Sequence, residues 1–137
     1  TVMVARFIGS PTMNLIDCKL KEVDGRWILD ATDFEIDITG REEVRRAYSA
    51  GSSLALGIRP EDIGITDLGR GAGRTMGTIH MVQNIGDETV VAVKIGNTIM
   101  NTVISKERVV RYGEKVSVGF RDEKVHIFDK KTQTAIL

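Results

Sequence analysis

Residues 79–95 read Ile-His-Met-Val-Gln-Asn-Ile-Gly-Asp-Glu-Thr-Val-Val-Ala-Val-Lys-Ile, and this stretch decides the fold class. Side chains of a strand alternate between its two faces, so apolar residues at every second position predict a half-buried strand. The Gly86-Asp87 pair suits a tight hairpin turn between two such runs. The residues expected to share a face are Ile79, Met81 and Ile85 on the first strand and Val91, Val93 and Ile95 on the second.

The residues that follow continue this pattern. Further strands are predicted over 98–104, 116–120 and 125–128, with turns at Tyr112-Gly113 and Asp122-Glu123. Five short strands suit a small closed Greek-key barrel, because closure removes the exposed sheet edges that invite aggregation. We therefore predict an all-β protein.

The first half of the chain carries two more alternating runs, over residues 14–22 and 33–38. The Asp24-Gly25 pair after the first run predicts a two-residue hairpin, since both central positions of that turn need positive φ. The acidic residues of the second run, Asp33, Glu35 and Asp37, are expected to face water.

One short helix is predicted near residues 40–48. Thr39 and Glu42 have the spacing of a capping box, and Val44, Ala47 and Tyr48 form an apolar stripe with helical periodicity. The alternation then returns at residues 54–58, and Pro60 fixes a turn. The glycine-rich run from Gly69 to Arg74 separates the two halves, so we expect β subdomains at 13–74 and 75–137, packed as one regulatory domain.

Composition narrows the class of partner. The chain has 137 residues, 42% of them hydrophobic and 28% charged, with nineteen basic residues balancing nineteen acidic ones. These values predict a folded, soluble domain without an export signal or membrane insertion, and they argue against nucleic-acid binding, which favours a basic surface. The single cysteine, Cys18, fits a reducing compartment, so we predict a cytoplasmic protein.

The residues needed for catalysis or metal binding are scarce. One cysteine and two histidines, His80 and His126, without close spacing do not suit a structural zinc site. The Gly69–Arg74 run has three residues between its outer glycines and an arginine where a phosphate-binding loop places lysine. No nucleophile motif appears. We therefore predict a binding protein rather than an enzyme, with no catalytic residue and no cofactor or metal of its own.

Four phrases together resemble a known family. They are Val4–Asn14 (VARFIGSPTMN), Leu56–Ile63 (LGIRPEDI), Val82–Glu88 (VQNIGDE) and Val125–Asp129 (VHIFD). In this order they resemble the C-terminal regulatory part of ATP-binding-cassette (ABC) sugar-importer ATPases, such as the maltose and glycerol-3-phosphate transporter subunits. The resemblance covers essentially the whole chain and implies OB-fold-like Greek-key barrels of the transport-associated (TOBE) type.

In that family an ATPase domain precedes the regulatory part. The resemblance implies that residues 1–12 are a linker from such a domain and that ATP and Mg²⁺ bind in the full-length protein rather than in this chain. It also implies a non-catalytic role at the cytoplasmic face of the membrane. The implied partners are a second copy of the chain, the ATPase and membrane subunits of the transporter, and an enzyme IIA-type regulator.

The resemblance also points to interface residues. Phe7, Ser10, Met13 and Asn14 would lead into the first strand; Arg59, Glu61 and Asp62 would form a turn that braces the two halves; Asn84, Gly86 and Glu88 would form a hairpin tip at a dimer or partner surface. Each group has a plain structural alternative as a rigid turn, an ion pair or turn chemistry. The family often has glutamate before Leu-Gly where this chain has Gln83-Asn84-Ile85-Gly86, which puts a charge-dependent contact there in question.

Two other functions stay open from the sequence. Related modules of molybdate importers bind oxyanions, and the Gly69–Arg74 run could offer amides and two guanidinium groups to an anion, which would make the chain a small-ligand sensor. Binding of single-stranded nucleic acid on a barrel face needs stacking aromatics and a basic groove, whereas aromatic residues make up only 5% of this chain.

Overall fold

The computed structural model describes residues 12–67, 75–130 and 134–135 of the chain. These residues form two antiparallel sheets and one short α-helix, which confirms the predicted all-β class with one helix. Phe7, Ser10 and the Gly69–Arg74 run, all named in the sequence analysis, lie outside the described residues.

The first sheet has six strands in the order β11-β10-β4-β1-β2-β3. Helix α1, Glu42–Ala47, lies between β3 and β4 in sequence. The strands are β1 (Asn14–Val23), β2 (Arg26–Asp30), β3 (Glu35–Asp37), β4 (Ser53–Ile58), β10 (His126–Asp129) and β11 (Thr134–Ala135). The predicted turn between β1 and β2 is present, with φ of 52° at Asp24 and 80° at Gly25.

The second sheet has five strands in the order β5-β9-β6-β7-β8. A 3₁₀ turn, Pro60–Asp62, precedes the first of them. The strands are β5 (Ile63–Asp67), β6 (Thr75–Ile85), β7 (Glu88–Ile95), β8 (Thr98–Ser105) and β9 (Lys115–Phe120). The chain turns between β6 and β7 at Gly86, whose φ of +79° favours glycine.

The chain folds as two compact units, each with one sheet. Of the described residues, 12–58, 122–130 and 134–135 belong to the first unit, and 59–67 and 75–121 belong to the second. This division differs from the predicted subdomains, because β10 pairs with β4 and so returns the end of the chain to the first sheet. Such a long-range pairing leaves no mark on local periodicity, whereas the glycine-rich run looks like a boundary.

Each unit has its own apolar core. The largest fully buried side chains of the first are Leu20, Leu29, Leu54, Leu56, Ile58 and Ile127, with Val44 from α1. Those of the second are Ile79, Val91, Val93, Met100 and Val116. Alternation along the strands selects these residues, as the sequence analysis predicted for Val91 and Val93.

Two local predictions were wrong. A β-bulge between Ile79 and Met81 adds one residue to β6, so Ile79 is buried whereas Met81 and Ile85 lie on the opposite side of the sheet. The capping box is absent: the residue that precedes α1 is Arg41, and it makes no side-chain cap bond. The Thr39 hydroxyl instead accepts a hydrogen bond from the Trp27 amide, 3.0 Å away.

Candidate interaction surfaces

Three of the four family-like phrases meet in the first unit around Gly57. A Cβ atom built on Gly57 would lie 2.3 Å from Sδ of Met13 and 2.8 Å from Cε2 of Phe128. These two side chains therefore pack into the space that a Cβ atom on residue 57 would occupy. Leu15 and Ala55 complete this cluster on the sheet. The phrases at 4–14, 56–63 and 125–129 thus share a packing role.

Asn14 fixes the start of β1 in the same region. Its side-chain Nδ2 donates a hydrogen bond to the carbonyl oxygen of Ile58, 3.0 Å away, and the two residues are register partners between β1 and β4. Among the predicted interface residues, Met13 and Asn14 therefore have clear structural contacts within the first unit.

The turn at Arg59–Asp62 is held by contacts within the second unit. Asp62 is 7% exposed and pairs with Arg121, whose Nη1 lies 3.7 Å from its Oδ1. The Asp62 carbonyl also accepts a hydrogen bond from the Arg121 amide at 3.0 Å. Arg59 is half-buried and Glu61 is exposed. A role of this turn in bracing the two halves of the domain stays a prediction.

Thr102 joins the same turn to β8. Its buried hydroxyl lies 2.6 Å from the carbonyl oxygen of Ile63 and 3.1 Å from that of Pro60. Because the hydroxyl has one proton, it donates fully to one of these carbonyl oxygens at a time, and the Pro60 oxygen also accepts a hydrogen bond from the Ile63 amide. The link holds β8 against the start of β5.

The predicted hairpin tip forms as expected between β6 and β7. Asn84 and Glu88 are exposed, and Oδ1 of Asn84 accepts a hydrogen bond from the Thr89 hydroxyl at 2.7 Å. The side chain of Asn84 thereby fixes the two strands just before Gly86 turns the chain. The backbone at the tip is set by this local chemistry, and Glu88 is left on the surface.

Large apolar side chains lie exposed next to this tip. Met81 is 57% exposed, Ile85 51% and Val82 38%. Val82 and Met81 are neighbours in sequence and point to opposite faces, so the hairpin presents apolar surface on both sides. Single exposed apolar residues are common on protein surfaces, but a contiguous group of them indicates an interaction site.

The side of β6, β7 and β8 that faces away from the core carries apolar and polar side chains in equal number, and we call it the outer face. It lies opposite the buried side chains of Ile79, Val93 and Met100, which are register partners. Ile99, on β8, is 50% exposed. The apolar members of the outer face are Met81, Ile85, Val90, Ile99 and Val103, together with Ala92, which is only 8% exposed.

Charged groups flank the outer face. Glu88 and Lys94 end the row of β7 side chains that lie on it, and both are exposed. Beside Glu88 in the register lies Ser105, whose hydroxyl donates to the Glu107 carboxylate and lowers the pKa of that carboxyl. Charged ends around an apolar centre are typical of a protein interface.

The first sheet carries a small polar cleft of about 200 Å³, lined by charges of both signs. Lys130 Nζ lies 3.5 Å from Asp17 Oδ1, and Lys19 and Asp30 also line the cleft. The thiol of Cys18 beside it is buried; burial, with the Asp17 carboxylate, raises its pKa from 9.0 to about 12. A thiol with this pKa stays protonated and is a poor nucleophile.

Among the described residues, no group of three or more His, Cys, Asp and Glu is placed to hold a metal ion. In the same part of the chain, no helix is both long and apolar enough to cross a membrane.

Sequence reasoning found part of the outer face. It placed Asn84, Gly86 and Glu88 at a surface tip and put Met81 and Ile85 on the same face as Ile79. It missed Val90, Lys94, Ile99 and Val103. A signal was present in β7, where Glu88, Val90, Ala92 and Lys94 occupy every second position between core residues. The bulge that exposes Met81 has no comparable signal.

Comparison with known proteins agrees with this architecture. Residues 9–63 match the family model of the MalK OB fold domain, and residues 56–128 match that of the TOBE domain. The two matches overlap at 56–63, where the chain passes from the first unit to the second. They confirm the predicted OB-type fold.

Curated relatives are import ATP-binding proteins. The trehalose/maltose import protein MalK of Thermococcus litoralis is 33% identical over 97% of this chain and 37% of its own length. The xylose/arabinose import protein XacK of Haloferax volcanii is 30% identical over 98% and 35%, and the maltose/maltodextrin import protein MalK of Escherichia coli K12 is 29% identical over 91% and 34%. The chain thus spans about a third of the length of the curated relatives it matches.

A solved structure has a similar fold. It is that of the cytoplasmic molybdate-binding protein ModG with molybdate bound, with a TM-score of 0.63 and 16% identity over 83% of this chain and 94% of that one. The TOBE model alone covers more than half of the residues. This chain therefore belongs to the TOBE domain family, and the segment before that module matches the MalK OB fold domain.

Proposed function

We propose that this chain is the non-catalytic regulatory and dimerisation part of the ATP-binding subunit of a sugar-type ABC importer. The two matched domain models and the sugar-import relatives support this role. ATP and Mg²⁺ would bind in another part of such a subunit. The subunit would lie at the cytoplasmic face of the membrane, in contact with the transporter's membrane subunits and, in a regulated system, with an enzyme IIA-type protein.

The outer face is the observation that carries the protein-contact role. Met81, Ile85 and Ile99 are each at least half exposed and lie on one side of three adjacent strands. Burying such side chains contributes about 25 cal/mol for each Å² of apolar area removed from water. The methionine and the absence of charge in the centre also suit an interface core. A second copy of the chain would cover this surface.

Sedimentation of the 137-residue chain over a range of concentrations tests the proposal. We expect self-association that Met81→Asp weakens by at least about tenfold, because a carboxylate in the centre of an apolar interface loses its hydration. Val109→Asp is the matched control: Val109 is 74% exposed but lies in the loop between β8 and β9, so its substitution should leave association unchanged.

The result that contradicts the dimerisation role is a chain that stays monomeric up to millimolar concentration. Equal weakening by Met81→Asp and Val109→Asp would instead contradict the choice of surface, since both substitutions add the same charge.

An oxyanion sensor is the alternative function. Its support is the fold shared with a molybdate-binding protein, at 16% identity. The polar cleft of the first sheet offers Lys19 and Lys130, but Asp17 and Asp30 line the same space and would repel an anion. Calorimetric titration with molybdate, sulfate and phosphate tests this function. Flat traces would reject it, and saturable heats would favour it over the protein-contact role.

A further inference from the structure

The β7 strand places an ordered row of four side chains on the outer face. Glu88, Val90, Ala92 and Lys94 follow one another at every second position, so they project from the same side of the sheet. The row reads acidic, apolar, apolar, basic. Glu88 and Lys94 are six residues apart, which is about 20 Å along a strand.

The neighbouring strands keep the centre of this row free of charge. Met81 and Asn101 are the register partners of Ala92, and Gln83 and Val103 are those of Val90. All of these side chains are apolar or neutral. A partner that meets the outer face encounters an uncharged centre with opposite charges at its two ends. The polar side chains of Gln83 and Asn101 are exposed in this centre beside the apolar ones.

The basic end has a second cation in strand register. Thr78 is the partner of Lys94, and Lys115 Nζ donates a hydrogen bond to the Thr78 hydroxyl at 3.2 Å. At the acidic end Glu107 contacts Ser105, the partner of Glu88. The turn at this end also carries Lys106 and Arg108. Of the charged residues at the two ends, Glu88 and Lys94 are the two that lie on β7 itself.

We propose that a second copy of this chain packs face to face on the outer face, about a two-fold axis that lies in the interface and crosses the strands near Val91. This arrangement reverses the direction of β7, so that Glu88 meets Lys94 of the partner subunit and Val90 meets Ala92 of the partner subunit. One interface then contains the same ion pair twice. The inference rests on the self-association proposed above and specifies its geometry.

The charge order favours this axis over a two-fold axis that is parallel to the strands. An axis parallel to the strands would superpose Glu88 on Glu88 of the partner subunit and Lys94 on Lys94 of the partner subunit. Like charges directly opposite are unfavourable, whereas opposite charges attract. Symmetry-related patches must be self-complementary, and the row acidic–apolar–apolar–basic becomes so only when it is reversed.

Charge reversal at Glu88 and Lys94 tests this geometry through the dissociation constant of the dimer. Glu88→Lys alone places lysine against lysine, and Lys94→Glu alone places glutamate against glutamate, each twice per dimer. We expect either substitution to raise the dimer dissociation constant by about tenfold or more at low salt. The double variant restores opposite charges, and its dissociation constant should return to within about threefold of the original.

The single reversals distinguish the two axes, and mixing the two single variants shows whether their weakening is electrostatic. In the mixed dimer one chain carries lysine at both positions of the row and the other carries glutamate at both, so both pairs attract. We expect the mixture to associate as tightly as the unmodified chain although each variant alone does not. A folding defect cannot produce this rescue. Glu22→Lys and Lys124→Glu, at two exposed sites of the first unit, are the controls for net charge. Neither variant alone nor their mixture should change the dimer dissociation constant.

The outcomes separate the two proposals. If the unmodified chain dimerises but single reversals have no effect, or if the mixture is not rescued, the axis is wrong and self-association stands. If the unmodified chain stays monomeric up to millimolar concentration, both the geometry and the dimerisation role are wrong.

Discussion

Substitution of Gly57 by alanine tests whether the family-like phrases are linked by packing. The new Cβ would lie 2.3 Å from Sδ of Met13 and 2.8 Å from Cε2 of Phe128. Carbon atoms in ordinary contact are about 3.5–4.0 Å apart, so the sulfur must retreat by more than about 1 Å and the ring by about 0.7 Å or more. Met13 has rotatable bonds and is half-buried, whereas the ring of Phe128 is 6% exposed and has little space to move.

The expected cost follows from these distances. Overpacking of this kind costs about 1–3 kcal/mol. Alanine recovers about 0.5–1 kcal/mol of that, because it loses less backbone entropy than glycine in a strand. The backbone at Gly57 does not have positive φ, so strain adds nothing. The difference lies between about 0 and 2.5 kcal/mol, so we expect Gly57→Ala to lower the free energy of unfolding by about 1 kcal/mol.

A double-mutant cycle with Met13→Ala identifies the cause. Removing the Met13 side chain clears the closer of the two contacts, so Gly57→Ala should cost less in that background, by about 1 kcal/mol. Urea unfolding followed by circular dichroism measures all four proteins. An equal cost in both backgrounds, or a gain in stability on Gly57→Ala, would refute the steric reasoning.

Two further predictions concern other parts of the chain. Thr102→Val keeps the shape of the side chain but removes the hydroxyl that bonds the carbonyls of Pro60 and Ile63, and should lower the free energy of unfolding in urea titration by about 1–2 kcal/mol. Thr66→Val, at an exposed position, is the control. An equal effect of the two substitutions would contradict the role of the Thr102 hydroxyl. The pKa of Cys18 is raised in the folded state to about 12 from 9.0, so the stability linked to its neutral thiol is complete below about pH 9 and is lost as the pH rises toward 12. Between about pH 8 and 10 the free energy of unfolding should fall by about 1 kcal/mol more than in Cys18→Ala, and parallel pH profiles of the two proteins would refute this.

The sequence predicted what local chemistry determines. Alternation located the strands, and the pairs Asp24-Gly25 and Gly86-Asp87 located two turns. Positive φ occurs at Asp24, Gly25 and Gly86, and few residue types adopt it readily. Long-range pairing has no local signal, so the return of β10 to β4 was not predicted. The same holds for the bulge beside His80, which reverses the side on which Met81 and Ile85 lie.

The candidate surface was therefore found only in part. The hairpin tip at Asn84 and Glu88 came from the resemblance and forms as expected, whereas Ile99 and Val103 belong to the surface only because β8 pairs with β7. Lys94 carried a charge among core residues of β7, which is a signal that strand alternation can detect. Its significance as the counterpart of Glu88 needs the register of the folded sheet.

The phrases that resemble the family divide into two physical roles. Met13, Gly57 and Phe128 come from three phrases and pack together inside the first unit, so their shared role is packing. The phrase at 82–88 forms an exposed hairpin in the second unit, where Glu88 lies on the surface and can meet another protein. Two chains can thus share the packing phrases and fold alike while they differ in partner. Differences in partner choice should follow changes at Glu88, Lys94 and the apolar centre between them, because specificity depends on unfavourable as well as favourable pairings.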